Sequence, residues 1–244
     1  IYRLHLLGWT QAQIAEQVTE TVESIVQDTV SELLRKIPEL EISVKAHAAA
    51  GKSAAQIAEL LFLDQTLVWA MLCREKEDRE RFGVLKLKPE DFNLWEFGAP
   101  DQRLGQDHPG RIPGQILLNL LYYYTQPGDW VYDPMGGGGV TLDACLLMGR
   151  RGFATDIEPR RKDIVKHDIE GGFPEMPRSN AKPMLVFIDP PYWTQKKGEY
   201  SDDDTNWANL SLDEFYHSFL NFIQGAADAL PKGGRVAVIV GPTH

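Results

Sequence analysis

The chain has 244 residues, 43% of them hydrophobic, with two cysteines and a formal net charge of −10. This length allows one or two domains with a real core, and no apolar run approaches the roughly 18 residues of a membrane span. The cysteines, Cys73 and Cys145, lack metal-ligand spacing, so no metal site is expected and a reducing, cytoplasmic setting is the default.

The acidic balance excludes a broadly basic surface, so any nucleic-acid contact must rest on local patches. The front of the chain then repeats itself. Gly8-Trp9-Thr10-Gln11-Ala12-Gln13-Ile14-Ala15-Glu16 aligns with Gly51-Lys52-Ser53-Ala54-Ala55-Gln56-Ile57-Ala58-Glu59. In each copy a hydroxyl residue, Thr10 or Ser53, is placed to cap a short helix whose buried face carries Ile14 or Ile57. A second helix follows each, from Thr21 with Ile25 inward and from Asp64 with Val68 inward. Short helix, tight turn and second helix predict a small all-α domain of tandem helix-turn-helix units over residues 1–83.

These stretches resemble the helix-turn-helix of the ParB-like and small repressor families, in which Gln-x-x-Ile-Ala precedes the turn. Both copies depart from that pattern where glycine is usual, at Thr19 and Phe62. Glu20, Glu23, Asp28 and Glu32 on the first second-helix would repel phosphates. On the other, Gln65, Thr66 and Trp69 are expected to be exposed, with Arg74 further along. Gln65, Thr66 and Arg74 are therefore the candidate DNA contacts. The alternative is a helical module that binds another protein or a second copy of the chain. The mixed charges from Arg74 to Arg81 predict a solvated helix face, and Phe82-Gly83 marks the boundary.

Trp95 and Phe97 lie ahead of the next pattern and are read as core or as cofactor contacts. From Asp129 onward the text changes to alternating strands and helices, predicting residues 84–244 to be an α/β domain with a parallel sheet and helices on both faces. Trp130–Asp133 reads as a buried strand, followed by Pro134-Met135-Gly136-Gly137-Gly138-Gly139 and a helix from about Val140 to Met148. Gly152–Asp156, Met184–Ile188 and Arg235–Val240 are further strands, and Leu212–Leu230 has helical periodicity. Ligands of such sheets bind at the carboxyl ends of the strands.

A dinucleotide loop wants a third glycine where this chain has Leu142, and Asp133 beside the loop would repel a phosphate. An ammonium- and sulfonium-bearing ligand without phosphate suits it better. S-adenosylmethionine (SAM) is such a ligand, held over Gly137 and Gly139, with Asp156 at the end of the next strand to accept its ribose hydroxyls.

Met184–Ile188 runs directly into Asp189-Pro190-Pro191-Tyr192. The two prolines hold an extended backbone where a buried strand emerges, fixing a carboxylate, a carbonyl and an aromatic ring together. That set suits an aromatic amine. The two acceptors draw its nitrogen lone pair out of conjugation, and Tyr192 offers a stacking face to a base taken out of its helix.

Leu94–Tyr192 resembles the amino-group DNA methyltransferases, which methylate adenine N6 or cytosine N4. That family reads Asp-Pro-Phe-x-Gly-x-Gly at its first motif, where this chain has Asp133 to Gly139, with Met135 for Phe and Val140 for Thr. Its catalytic motif, Asp/Asn/Ser-Pro-Pro-Tyr/Phe, is met by Asp189 to Tyr192. The resemblance implies a Rossmann-like class I methyltransferase sheet. It also implies that the segment from His108 to Pro113 helps hold the methionine moiety of SAM, with Asp168 near its adenine.

Cofactor motifs precede the catalytic one, as in the gamma arrangement. The expected closing antiparallel strands are not found after Val240, so the domain is expected to continue. The implied reaction is methyl transfer to adenine N6 in DNA, since cytosine-directed members more often carry Ser at the place of Asp189. N4 of cytosine, an RNA base amine, or a catalytically silent DNA-binding regulator are the rivals. The loop with Lys196-Lys197 and Ser201-Asp202-Asp203-Asp204 is expected to be solvated or a lid.

Overall fold

The computed structural model describes residues 1–19, 27–107, 110–190, 207 and 210–240. Helices α1 (Tyr2–Leu6), α2 (Gln11–Thr19), α3 (Gln27–Leu34), α4 (Ile37–Ala49), α5 (Ala54–Leu61), α6 (Gln65–Cys73) and α7 (Asp78–Val84) come first. The repeat has a physical basis in its caps. Gln13 N–H donates to Thr10 Oγ1 at 3.3 Å while Thr10 N–H donates to Gln13 Oε1 at 3.1 Å. Ser53 and Gln56 make the same reciprocal pair at 3.3 and 2.9 Å. Each pair satisfies donors that a helix start leaves open. Ile14, Ile57 and Val68 are fully buried, as expected. Thr21, Glu23 and Ile25 lie outside the described residues.

After α8 (Gln115–Tyr124) come β1 (Trp130–Asp133), α9 (Val140–Met148), β2 (Arg151–Asp156), β3 (Val165–Lys166), β4 (Pro183–Ile188), α10 (Leu212–Ala229) and β5 (Arg235–Val238). The strands form one sheet in the order β3-β2-β1-β4-β5, and every pairing is parallel. The reversal of direction in that order falls between β1 and β4. A crevice therefore opens at their carboxyl ends, where α/β sheets bind ligands. β1 and α9 fall on the predicted bounds. β3, only two residues long, was not anticipated.

Every residue of α9 is buried. Its sequence, Val-Thr-Leu-Asp-Ala-Cys-Leu-Leu-Met, has no polar face, so it must be covered all round. β2 covers one side, and α6, α7 and α8 pack over the other. Leu4, Leu7, Trp9 and Ile14 of the front segment share a hydrophobic core with Val131, Leu142 and Cys145, while a smaller core joins α4, α5 and α6 through Val44, Ile57, Val68 and Met71. The main chain is continuous with this packing. Gly152 N–H donates to Leu7 O at 3.1 Å, and Trp9 Nε1–H donates to Gly152 O at 3.3 Å. The boundary expected at Gly83 is thus no break in the core.

The charged run is the solvated face expected of it at Arg74, Glu75, Glu77, Arg79 and Glu80, which are exposed, but not at its inner side. Glu75 takes a left-handed conformation (φ 63°) ahead of α7. Arg81 is buried, donating to Lys76 O at 2.8 Å and Leu147 O at 3.3 Å. Asp78 pairs with Arg150, which is fully buried. Among the described residues, no single helix is long and apolar enough to cross a membrane.

Candidate active site

Three strand ends converge on the carboxyl edge of the sheet. Asp133 closes β1 beside Ala154 of β2, and Tyr132 pairs with Val186 of β4. This register brings the end of β4, and Asp189 just beyond it, to the same edge. Asp156 closes β2.

Asp133 is 4% exposed. Its carboxylate accepts Met135 N–H at 3.0 Å and the Thr141 hydroxyl at 2.5 Å. Burial pushes its carboxyl up to about 6, against the opposing pull of those two hydrogen bonds. An acid so placed favours a cationic neighbour. Pro134 is buried beneath the loop, its carbonyl 3.4 Å from the Thr155 hydroxyl.

The glycine loop is held from both sides. Gly137 N–H (φ 44°) donates to Asp156 Oδ2 at 2.9 Å, while Glu158 N–H donates to Oδ1 at 2.9 Å. A carboxylate has about four acceptor positions, so the half-exposed Asp156 keeps capacity for a ligand's hydroxyls. Gly139 is the left-handed N-cap of α9 (φ 78°) and is buried. A Cβ there would overlap the Arg161 guanidinium. The bare face of Gly139 is therefore filled by the protein itself, and Gly137 is the loop glycine nearer to solvent.

Asp168 follows β3 and caps a 3₁₀ turn over Ile169–Gly171, accepting Glu170 N–H at 3.0 Å. The preceding His167 N–H donates to Asp156 O at 3.0 Å, which holds the chain just ahead of Asp168 against the end of β2. Asp189 is half-buried and Pro190 buried. His108, Pro191, Tyr192 and the stretch from Lys196 to Asp204 lie outside the described residues. Downstream of His108, Arg111 donates to the carbonyls of Asp101 at 2.7 Å and Leu104 at 2.9 Å and pairs with Asp107. Trp95 stacks on Tyr123 near the carboxyl end of α8.

The candidate DNA contacts fare differently. Gln65 is exposed at the start of α6. Thr66 is buried, contrary to expectation, with its hydroxyl donating to Arg103 O at 2.9 Å. Trp69 is half-buried beneath the Arg103 guanidinium, 5.2 Å from its ring centre. Arg74 is exposed but paired with Glu41. The cause is that α6 packs on α9 and buries six of its nine residues. Its outer side keeps Gln65 exposed with Trp69 and Leu72 half-buried.

Residues 42–167, slightly more than half of the chain, match the N6/N4 methylase family described as DNA methylase. The chain belongs to that family. The match runs across Gly83 without a break and stops short of Asp189. Over 101 residues the methylase is 26% identical to the orphan methyltransferase M.BamHII of Bacillus amyloliquefaciens, covering 39% of this chain and 38% of that one. Over 57 residues it is 32% identical to the type II methyltransferase M.MthZI of Methanothermobacter thermautotrophicus, covering 23% of this chain and 16% of that one. The chain thus spans well under two thirds of the length of either relative. No solved structure matches it.

Sequence reasoning missed the ion cluster behind the glycine loop, made by Arg3, Asp143, Arg161 and Asp163. One signal was present: Asp143 is the single charged residue in an otherwise apolar helix.

Proposed function

We propose that this methylase transfers the methyl group of SAM to the exocyclic amine of a base in DNA, adenine N6 foremost, with the base turned out of its helix. The observation that carries the reading is the convergence of Asp133, Asp156 and Asp189 on one sheet edge beside a glycine loop. The donor set fits the cofactor. Asp133 is a buried acid beside the loop, and the Gly137 N–H is already given to Asp156, so the loop is poorly suited to a phosphate and well suited to a phosphate-free cation. Asp133 would face the amino-acid end, Asp156 the ribose, and Asp168 the adenine.

When bound, SAM supplies an electrophilic methyl on a sulfonium. The protein's own work is geometric and electrostatic. Asp189 and the adjoining main-chain carbonyl accept the two N–H bonds of the amine, which localises the nitrogen lone pair and aims it. Tyr192 stacks on the base. Proton loss follows methyl transfer, because the amine becomes acidic only as the new bond forms.

The test is transfer of labelled methyl to DNA, RNA and free bases, followed by nucleoside mass spectrometry. N6-methyladenine in DNA is the expected product. N4-methylcytosine would move the reading to the cytosine branch, and label in RNA alone or in no substrate would overturn it.

A further inference from the structure

The Arg161 side chain is 7% exposed and ties the back of the glycine loop to Asp143 and Asp163. Nη1 donates to Gly138 O at 3.0 Å, Gly139 O at 3.2 Å and Asp143 Oδ2 at 3.0 Å. Nη2 donates to Asp143 Oδ1 at 3.0 Å and Asp163 Oδ2 at 2.6 Å, and Nε to Asp163 Oδ1 at 2.8 Å. Two carboxylates and two carbonyls thus converge on one planar cation, a task for which a lysine's single ammonium is the wrong shape. Arg3 of α1 pairs with the same two acids from the far side. Burial alone would raise the Asp163 carboxyl, but the bonds and charge of Arg161, and then of Arg3, hold it down at about 2.

The loop's other fixings are main-chain bonds and the Asp133 and Asp156 carboxylates: Gly136 N–H donates to Thr155 O at 2.8 Å, and Gly139 O also accepts the first helical bond, from Asp143 N–H at 3.1 Å. Gly139 N–H closes onto Gly136 O at 2.7 Å, Gln106 N–H reaches Gly138 O at 2.9 Å, and Gly137 is tied forward to Asp156. A trans peptide points its N–H opposite its C=O. Drawing the Gly138 carbonyl back to Arg161 therefore sets which way the Gly139 N–H faces, toward Gly136 O. The loop is thus held at Gly137 by Asp156 in front and at Gly138 and Gly139 by Arg161 behind.

We propose that Arg161 is a positioning residue for the cofactor: it presets the glycine loop from behind, so that SAM meets Asp133 and Asp156 already in register. This rests on the SAM reading above. A ligand that must order its own loop binds more weakly by that cost, so the effect belongs to binding and not to the chemical step.

Arg161→Lys should weaken SAM binding at least tenfold by calorimetry and raise the KM for SAM. The kcat at saturating SAM should stay within threefold, and far-UV dichroism should match the parent. A charge-balanced variant, Arg161→Gln with Asp163→Asn, guards against a fold lost to an unpaired carboxylate and should show the same split. Parent protein that binds no SAM would refute the cofactor reading, and this inference with it. Parent that binds, beside folded variants with affinity within twofold of it, would overturn the inference alone. A fall in kcat at unchanged affinity, or failure of both variants to fold, would also overturn it.

Discussion

Replacing Asp133 by Asn should make the cofactor-free protein more stable at neutral pH and a poorer binder of SAM. Burial holds this carboxyl at about 6 against its ordinary 3.8. For a carboxyl raised in this way, its stability contribution is full below pH 3.8 and lost as pH rises through about 6, because the folded chain keeps the proton longer. At about 1.36 kcal/mol per pH unit the gap comes to about 3 kcal/mol, an upper bound on what ionised Asp133 costs the fold. Asparagine has the same shape. Its oxygen can still accept Met135 N–H, while its amide donates to Thr141, whose hydroxyl turns to accept. Variant and parent should therefore melt alike near pH 4 and diverge up to pH 7. At about 2–4 °C per kcal/mol for a chain of this size, the variant should end roughly 5–10 °C higher. Scanning calorimetry of both proteins across that range, without SAM, is the assay, since every other carboxylate cancels in the comparison. A variant that melts below the parent at pH 8, with a parallel pH profile, would refute the reasoning.

Asp156→Asn keeps one of the two N–H bonds to the loop and should weaken SAM binding about tenfold by calorimetry; unchanged affinity would count against the ribose placement. Asp189→Asn should retain part of the single-turnover rate, since an amide oxygen still accepts one N–H bond, while Asp189→Ala should be nearly inactive with SAM affinity kept. Equal inactivity of the two would point to obligatory proton removal by the carboxylate. Arg150→Met takes the bidentate cation from Asp78, which keeps only Arg81 at 3.7 Å, and removes the Arg150 donors from the carbonyls of Thr125 and Met148. Urea melts should show a loss of about 3–5 kcal/mol. Removing the residues before Phe82 bares the outer face of α9 and should give an aggregated product by gel filtration; a soluble, SAM-binding fragment would contradict the shared core.

The α/β half of the fold was legible because its signals are local. Buried parallel strands are short apolar runs, and here they abut glycines and prolines, so Trp130–Asp133 and Val140–Met148 fell on their bounds. The end of each strand then named Asp133, Asp156 and Asp189. β3 escaped because two residues give no period. Thr66 was misplaced for a different reason. The helix-turn-helix pattern points it outward, while Gln65–Cys73 is apolar nearly all round and so belongs inside. The Arg161 cluster was beyond local reading. Its partner Arg3 lies 160 residues from Asp163, and no periodicity records a pairing at that distance.

The burial of α6 bears on what the front helices are for. A helix that reads a major groove needs a row of free side chains and little acid nearby. α6 offers Gln65, while its cap Asp64 carries a negative charge and Arg74 is spent on Glu41. The apolar surface that a reading helix would hide elsewhere is here turned onto α9. That helix has the opposite need, since apart from Thr141 and Asp143 its residues are apolar. The sheet covers only one of its sides, so without α6, α7 and α8 the glycine-loop helix would stand half bare. The family match runs through Gly83 without a break, as the core does. Arg3 and Asp64 carry the same connection to the loop, Arg3 lying 3.5 Å from Asp64 and pairing with Asp143 and Asp163 behind the glycines. The front helices thus form the outer wall of the glycine-loop side of the sheet, and α6 turns its apolar face onto that wall.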